Sequence, residues 1–306
     1  MMAKFSYSTV HGSSGAGAAA SIEKSTSIQD RSIGAIISEK RNLSAEQVEQ
    51  IVAYQRERGV RFGEAAIALG FASADDVLMA LAEQFHYPYA PEERRKLSPE
   101  LVTLNQPFSH QAEAFRATRT QVMMRVFPEG ESPRRALAVV SPNSGDGKTF
   151  FTANLAVTLA QLGGRTLLVD ADLRGPRQHM VFNIENGAGL SSILSGRIES
   201  QVIQQIQGVP SLFVLPVGIV PPNPLELIER PAFGLLLREF TAKFDHVVVD
   251  TPAAVYGADA SVIAARCGAA LVIARKNASR IGALQDLVEI LSETPAKMAG
   301  VIMNEY

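Results

Sequence analysis

Ser141-Pro142-Asn143-Ser144-Gly145-Asp146-Gly147-Lys148-Thr149 follows an apolar run, 136–140, and opens an amphipathic helical stretch. Strand, Gly-rich turn, Lys-Thr and helix, in that order, build a phosphate-binding loop. Backbone N–H groups of the turn and of the helix N-terminus converge on an anion that the helix dipole favours. Ser144, Gly145, Asp146, Gly147, Lys148, Thr149 and Phe150 are expected around the nucleotide. Lys148 is expected on the β/γ-phosphates and the Thr149 hydroxyl on Mg²⁺. Pro142 stands at the first Gly of the G-x-x-x-x-G-K-[ST] spacing and offers neither an N–H nor a positive φ. The loop alone therefore leaves a chance Gly-Lys-Thr turn open.

Two further strand ends bear on that choice. Arg165-Thr166-Leu167-Leu168-Val169-Asp170 reads as a buried parallel strand, with Asp172 and Arg174 just beyond it. His246-Val247-Val248-Val249-Asp250-Thr251-Pro252 is a second apolar run ending in Asp. In an open α/β sheet, ligands bind beyond the carboxyl ends of the strands. A lone Asp after a strand is ordinarily a turn or cap residue. Agreement of three strand ends points instead to a Mg-nucleotide site with Asp170, Asp172 and Asp250 facing the loop.

The rest of the chain frames this site. Its 306 residues, 46% of them apolar, suffice for a sizeable core and more than one domain. A net charge of −2 provides no basic field for nucleic acid. The single cysteine, Cys267, rules out an internal disulfide and is expected to be a small buried hydrophobe. No run approaches the ~20 apolar residues of a membrane span, so a cytoplasmic chain that meets the membrane through a partner is expected.

Residues 1–29 are Ser/Gly/Ala-rich and read as a disordered tail. Residues 30–89 carry a tandem repeat at a 29-residue offset: Gly34, Val48, Val52 and Gln55 recur as Gly63, Val77, Leu81 and Gln84. Its apolar spacing is helical, with serines placed as N-caps. Residues 90–110, with charges at 92–96, read as a linker, and 111–127 as a helix. From 136 onward strands (136–140, 165–170, 211–216, 245–250, 269–274, 299–304) alternate with helices (149–162, 225–243, 258–266, 280–293). That alternation predicts a doubly wound, mostly parallel sheet over 111–306, preceded by a small helical domain.

These motifs resemble the Walker A, A′ and B motifs of bacterial tyrosine kinases, P-loop enzymes of exopolysaccharide chain-length control, the EpsG type in particular. Pro221-Pro222-Asn223-Pro224 and the Glu113-x-x-Arg116-x-x-Arg119 spacing are similar to two further segments of that family. The resemblance covers 107–306 and implies an ATP- and Mg²⁺-dependent protein-tyrosine kinase. It implies Lys148 on the phosphates, Asp170 and Asp250 at the metal, and Asp172 orienting or deprotonating the tyrosine hydroxyl. Arg174 is implied on a phosphate, or as a loop cap, and Asn304 on the base, or as a strand end. Glu113, Arg116 and Arg119 are implied at a ring interface and in substrate presentation. The partner it implies is a membrane polysaccharide copolymerase that recruits the kinase to the inner face of the membrane.

One departure concerns the acceptor: in place of the family's C-terminal tyrosine cluster only Tyr306 remains. The repeat resembles the N-terminal domain of type II secretion and type IV pilus ATPases. Through that resemblance Arg61, Gly63, Gly70 and Gln84 are candidates for a cyclic di-GMP site, with a plain docking bundle as the alternative. A ParA/MinD-like positioning ATPase stays open as well, although Asn143 stands where such proteins carry a signature lysine. So does a nucleotide-binding scaffold without catalysis.

Overall fold

A computed structural model describes residues 32–84, 97–128, 130, 133–197 and 202–305. The tail expected over 1–29 and Tyr306 lie outside the described residues, as does the first part of the expected linker. The chain divides into two compact units, Met1–Tyr87 and Pro88–Tyr306.

In the first unit, helices Ile33–Arg41, Ala45–Arg58, Phe62–Ala68 and Ala74–Gln84 enclose Ile36, Ile37, Ile51, Ala65, Ala66 and Ala80. Ser44 caps the second helix, its Oγ accepting from the Gln47 N–H at 3.2 Å while the Gln47 side chain accepts from the Ser44 N–H at 2.9 Å. This reciprocal pair satisfies two donors that a helix start leaves open. Gly63 is buried where a Cβ would lie 2.7 Å from Val77 Cγ1, so the two helices touch only because that side chain is missing.

The second unit is built on seven strands: β1 Leu137–Val140, β2 Thr166–Asp170, β3 Gln204–Gln205, β4 Leu212–Leu215, β5 His246–Asp250, β6 Ala269–Arg275 and β7 Lys297–Asn304. Their order is β3-β4-β2-β5-β1-β6-β7, parallel throughout except for the short β3. β1, β2 and β5 are buried at every position, as a sheet covered on both faces requires. Leu167, Val169, Val247 and Val249 face one core, Leu168, Val214 and Val248 the other. Asp170 and Asp250 stand side by side in the β2–β5 register.

Two sequence expectations change. Residues 97–105 do not behave as a linker: Leu101 and Leu104 are buried in the second unit's core. The buried Asn154 holds this segment, its Oδ1 accepting from the Thr103 N–H at 3.0 Å and from Thr103 Oγ1 at 2.9 Å. Its Nδ2 donates to the Glu100 carbonyl at 2.9 Å. The single helix expected over 225–243 is two, Pro224–Glu229 and Pro231–Lys243. Pro231 has no N–H and forces Arg230 to an extended ψ of 142°. Cys267 is buried as expected, and burial pushes its thiol well above the usual range.

Candidate active site

The loop 141–147 joins β1 to the helix Lys148–Ala160. Gly145 (φ 83°) and Gly147 (φ 97°) adopt left-handed conformations that side chains resist. Asp146 folds the loop from within. Its Oδ2 accepts from the Asn143 N–H at 2.8 Å, and its Oδ1 from Ser279 Oγ at 2.9 Å. Asn304 Nδ2 donates to the Asp146 carbonyl at 3.0 Å and fills the space beside Gly147 that a Cβ would take. Pro142 thus costs the loop nothing it needs, because the turn is closed by Asp146, Ser279 and Asn304.

Lys148 is buried, and its Nζ donates to Ser141 Oγ at 3.0 Å. Thr149 and Phe150 are half-buried, and Ser144 and Gly145 exposed, at the open side of the loop. The Phe150 ring meets Phe115 edge-on at 5.8 Å.

Asp170 and Asp250 are fully buried. Burial raises the Asp170 carboxyl well above the usual range, and its neighbour Asp250 adds to the rise. Burial likewise pushes Asp250 up to about 6, against the pull of Lys148 and of the Thr149 and Gln178 side chains. Asp250 Oδ1 has no hydrogen-bond partner among the described residues. Asp172 is half-buried, and its Oδ1 accepts from the N–H groups of Arg174 (3.2 Å) and Gly175 (2.9 Å).

These features fit a Mg²⁺-nucleotide. Two buried carboxylates with raised pKa values and an orphaned oxygen suit a cation, and the loop amides suit an anion. Among the described residues no three His, Cys, Asp or Glu cluster closely enough to cage a metal. Mg²⁺ requires no such cage, since it keeps several waters and takes one or two carboxylates beside phosphate oxygens.

Residues 137–306 match the CobQ/CobB/MinD/ParA nucleotide-binding domain family. Tyrosine-protein kinase YwqD of Bacillus subtilis is 33% identical over 68% of this chain and 87% of its own length. The chain belongs to the bacterial tyrosine kinases. Tyrosine-protein kinase Etk of Escherichia coli is 31% identical over 66% of this chain but only 28% of its own length, so the chain spans about a quarter of that longer relative. The solved kinase domain of Etk superposes with a TM-score of 0.64 at 32% identity, covering 68% of this chain and 80% of that one.

Within this kinase fold, Lys148, Thr149, Asp170, Asp172 and Asp250 come together at the carboxyl edge. Other expected site residues make contacts within the chain. Arg174 is committed to Asp259 in a two-pronged pair, Nε to Oδ1 at 3.2 Å and Nη2 to Oδ2 at 3.0 Å. Asp259 is buried, so its charge needs that partner more than a phosphate needs Arg174. The amide of Asn304 is engaged by the loop, as described. Arg116 pairs with Glu113 at 2.8 Å and donates to the Pro107 carbonyl at 2.7 Å, while Arg119 donates to the Thr158 carbonyl at 3.0 Å. The Arg119 bond ties the helix His110–Arg125 to the helix Lys148–Ala160. In the first unit, Arg61 precedes and Gln84 ends a helix. Gly63 lies against Val77, and Gly70 takes a positive φ of 73° just past a helix end.

Gln178 was not singled out in the sequence. It is fully buried, and its Nε2 donates to Asp250 Oδ2 and to Thr152 Oγ1, each at 2.9 Å. Its backbone N–H donates to Asp170 Oδ2 at 3.0 Å. One residue thus braces both carboxylates. Gln178→Leu should lower tyrosine phosphorylation about 10–100-fold, the usual effect of losing a residue that orients metal ligands. The loss should shrink as Mg²⁺ is raised in steady-state assays, and a Mg²⁺-independent loss would point to misfolding instead.

Proposed function

We propose that the second unit binds ATP·Mg²⁺ at its carboxyl edge and transfers the γ-phosphoryl group to protein tyrosine. The observation that carries this reading is the meeting of the loop lysine with Asp170 at the end of β2, Asp172 just beyond it and Asp250 at the end of β5. Lys148 and the loop amides hold the β/γ-phosphates. The Thr149 hydroxyl, Asp170 and Asp250, directly or through water, hold Mg²⁺, which neutralises charge on the phosphates. A tyrosine phenol has a pKa near ~10; Asp172, more exposed than the other two, orients the hydroxyl and takes its proton. Positioning and charge neutralisation carry nearly all of such a reaction.

The test is Asp172→Asn. Transfer should fall about 10²–10⁴-fold, the range for general acid–base groups, while ATP affinity measured by calorimetry stays within a few-fold. A comparable loss of ATP binding would count against the assigned role.

The physiological setting we infer is control of exopolysaccharide chain length and export, with a membrane copolymerase as activator. The kinase is cytoplasmic and recruited to the inner face of the membrane. No described helix is long and apolar enough to cross a membrane, which suits attachment through that partner. Glu113, 68% exposed at its side chain, is the part of the Glu-x-x-Arg-x-x-Arg helix best placed to meet a second copy in a ring. A second reading, a positioning ATPase, is favoured by the family match, which includes MinD and ParA. It predicts ATP turnover without phosphotyrosine.

A further inference from the structure

Tyr256 belongs to none of the groups placed above. It ends a 3₁₀ turn, Ala254–Tyr256, that begins four residues past Asp250. The turn is fastened to the start of the phosphate loop: the Ala254 N–H donates to the Ser141 carbonyl at 2.9 Å and the Val255 N–H to that of Pro142 at 3.0 Å. The side chain is 52% exposed, and its hydroxyl has no hydrogen-bond partner among the described residues. Gly257 follows at φ 137°, a conformation other residues rarely adopt, so the turn bends sharply at this tyrosine. Tyr256 is also the one tyrosine among the described residues of the second unit.

An exposed, unpaired phenol tethered to the phosphate loop is poorly explained as packing. We propose that Tyr256 is an autophosphorylation site, modified by the active site to whose phosphate loop its turn is fastened; the proposal rests on the kinase reading above. Tyr256 Oη attacks the γ-phosphorus of ATP. The Oη–P bond forms as the bond from that phosphorus to the β,γ-bridging oxygen breaks. ADP leaves with the electron pair, and the phenolic proton passes to the Asp172 carboxylate and on to water. The product carries a charge of about −1.5 to −2 at neutral pH, set beside a cradle built for phosphate. Phosphorylation should therefore weaken binding of the next ATP and make the modification self-limiting.

The test incubates the full chain with Mg²⁺ and γ-labelled ATP, maps the phosphate by tandem mass spectrometry, and assays a Glu/Tyr copolymer in parallel. Phosphate is expected on Tyr256 in the native chain and absent in Lys148→Met. Tyr256→Phe should lose more than half of the self-incorporated label yet phosphorylate the copolymer at the native initial rate, and then faster than the native chain as that chain modifies itself. When Lys148→Met chain is mixed with native chain, its Tyr256 should stay unmodified, because each site serves its own turn. Copolymer phosphorylation with Tyr256 unmodified overturns the proposal and leaves the kinase reading standing. Labelling of Tyr256 in the mixed Lys148→Met chain overturns the same-site assignment. Absence of label from both copolymer and chain removes the kinase reading itself.

Discussion

Replacing Lys148 with methionine should reduce tyrosine phosphorylation by about 10³-fold, the upper range for deleting one preorganised electrostatic group. The reason is local. Lys148 is 6% exposed, so its ammonium is shielded from water and its field acts at a low effective dielectric. It sits at the first residue of the loop helix, where backbone N–H groups already converge. Methionine keeps the length and apolar stem of the side chain but cannot meet phosphate charge as it develops. Lys148→Arg should fare little better, because a planar fork does not fit a pocket shaped for a point charge. Lys148→Met, unlike Lys148→Arg, also deprives Asp250 of the cation that pulls its pKa down, so the carboxyl should titrate above about 6. Retention of more than a tenth of the native rate by Lys148→Met, in a continuous phosphotyrosine assay, would remove the lysine from the mechanism.

Asp250→Asn should split activity from stability. Activity should fall about 10²–10³-fold, because the metal loses one of two carboxylates and the charge that goes with it. Stability of the ligand-free protein should rise. Asp250 is held neutral up to about 6 in the folded chain, whereas its reference value is 3.8. Over that interval the folded state binds more protons than the unfolded state. The contribution of Asp250 to stability is therefore most favourable at low pH and declines as pH rises from about 4 through 6. Above pH 6 the folded chain bears the full cost of an ionised, buried carboxylate, on the order of 3 kcal/mol for a shift of about two pKa units. Asparagine has no such cost, so the thermal midpoint should rise by several degrees at pH 8. At pH 5 the gain should be roughly half as large, and it should vanish only below about pH 4, where both the folded and the unfolded carboxyl are protonated. Saturating Mg²⁺-nucleotide should close the gap at pH 8 by stabilising the native chain only. A midpoint at pH 8 equal to or below the native one would contradict this electrostatic account.

Much of this site was legible in the sequence because its parts are local. Three apolar runs ending in polar residues place Lys148, Asp170 and Asp250 at one sheet edge, whatever the strand order. What escaped the sequence is tertiary. Gln178 lies in a four-residue helix with no periodicity to mark it, and only the fold brings it against Asp250. Arg174 looked free because its partner, Asp259, is 85 residues away. The weak loop signal left by Pro142 is offset by Ser279 and Asn304, both distant in sequence. Residues 97–105 resembled a linker by composition, yet Asn154 binds them with side-chain hydrogen bonds that no spacing rule anticipates. The break before Pro231 was available in the sequence, since proline disfavours a helical residue ahead of it.

Phosphoamino-acid analysis after incubation of the native chain with γ-labelled ATP, Mg²⁺ and a tyrosine-bearing polymer addresses the central idea with least inference. Label recovered as phosphotyrosine, and lost when Mg²⁺ is chelated, is the expected result. Label released wholly as inorganic phosphate, with none on tyrosine, would contradict it and identify the site as that of a positioning ATPase.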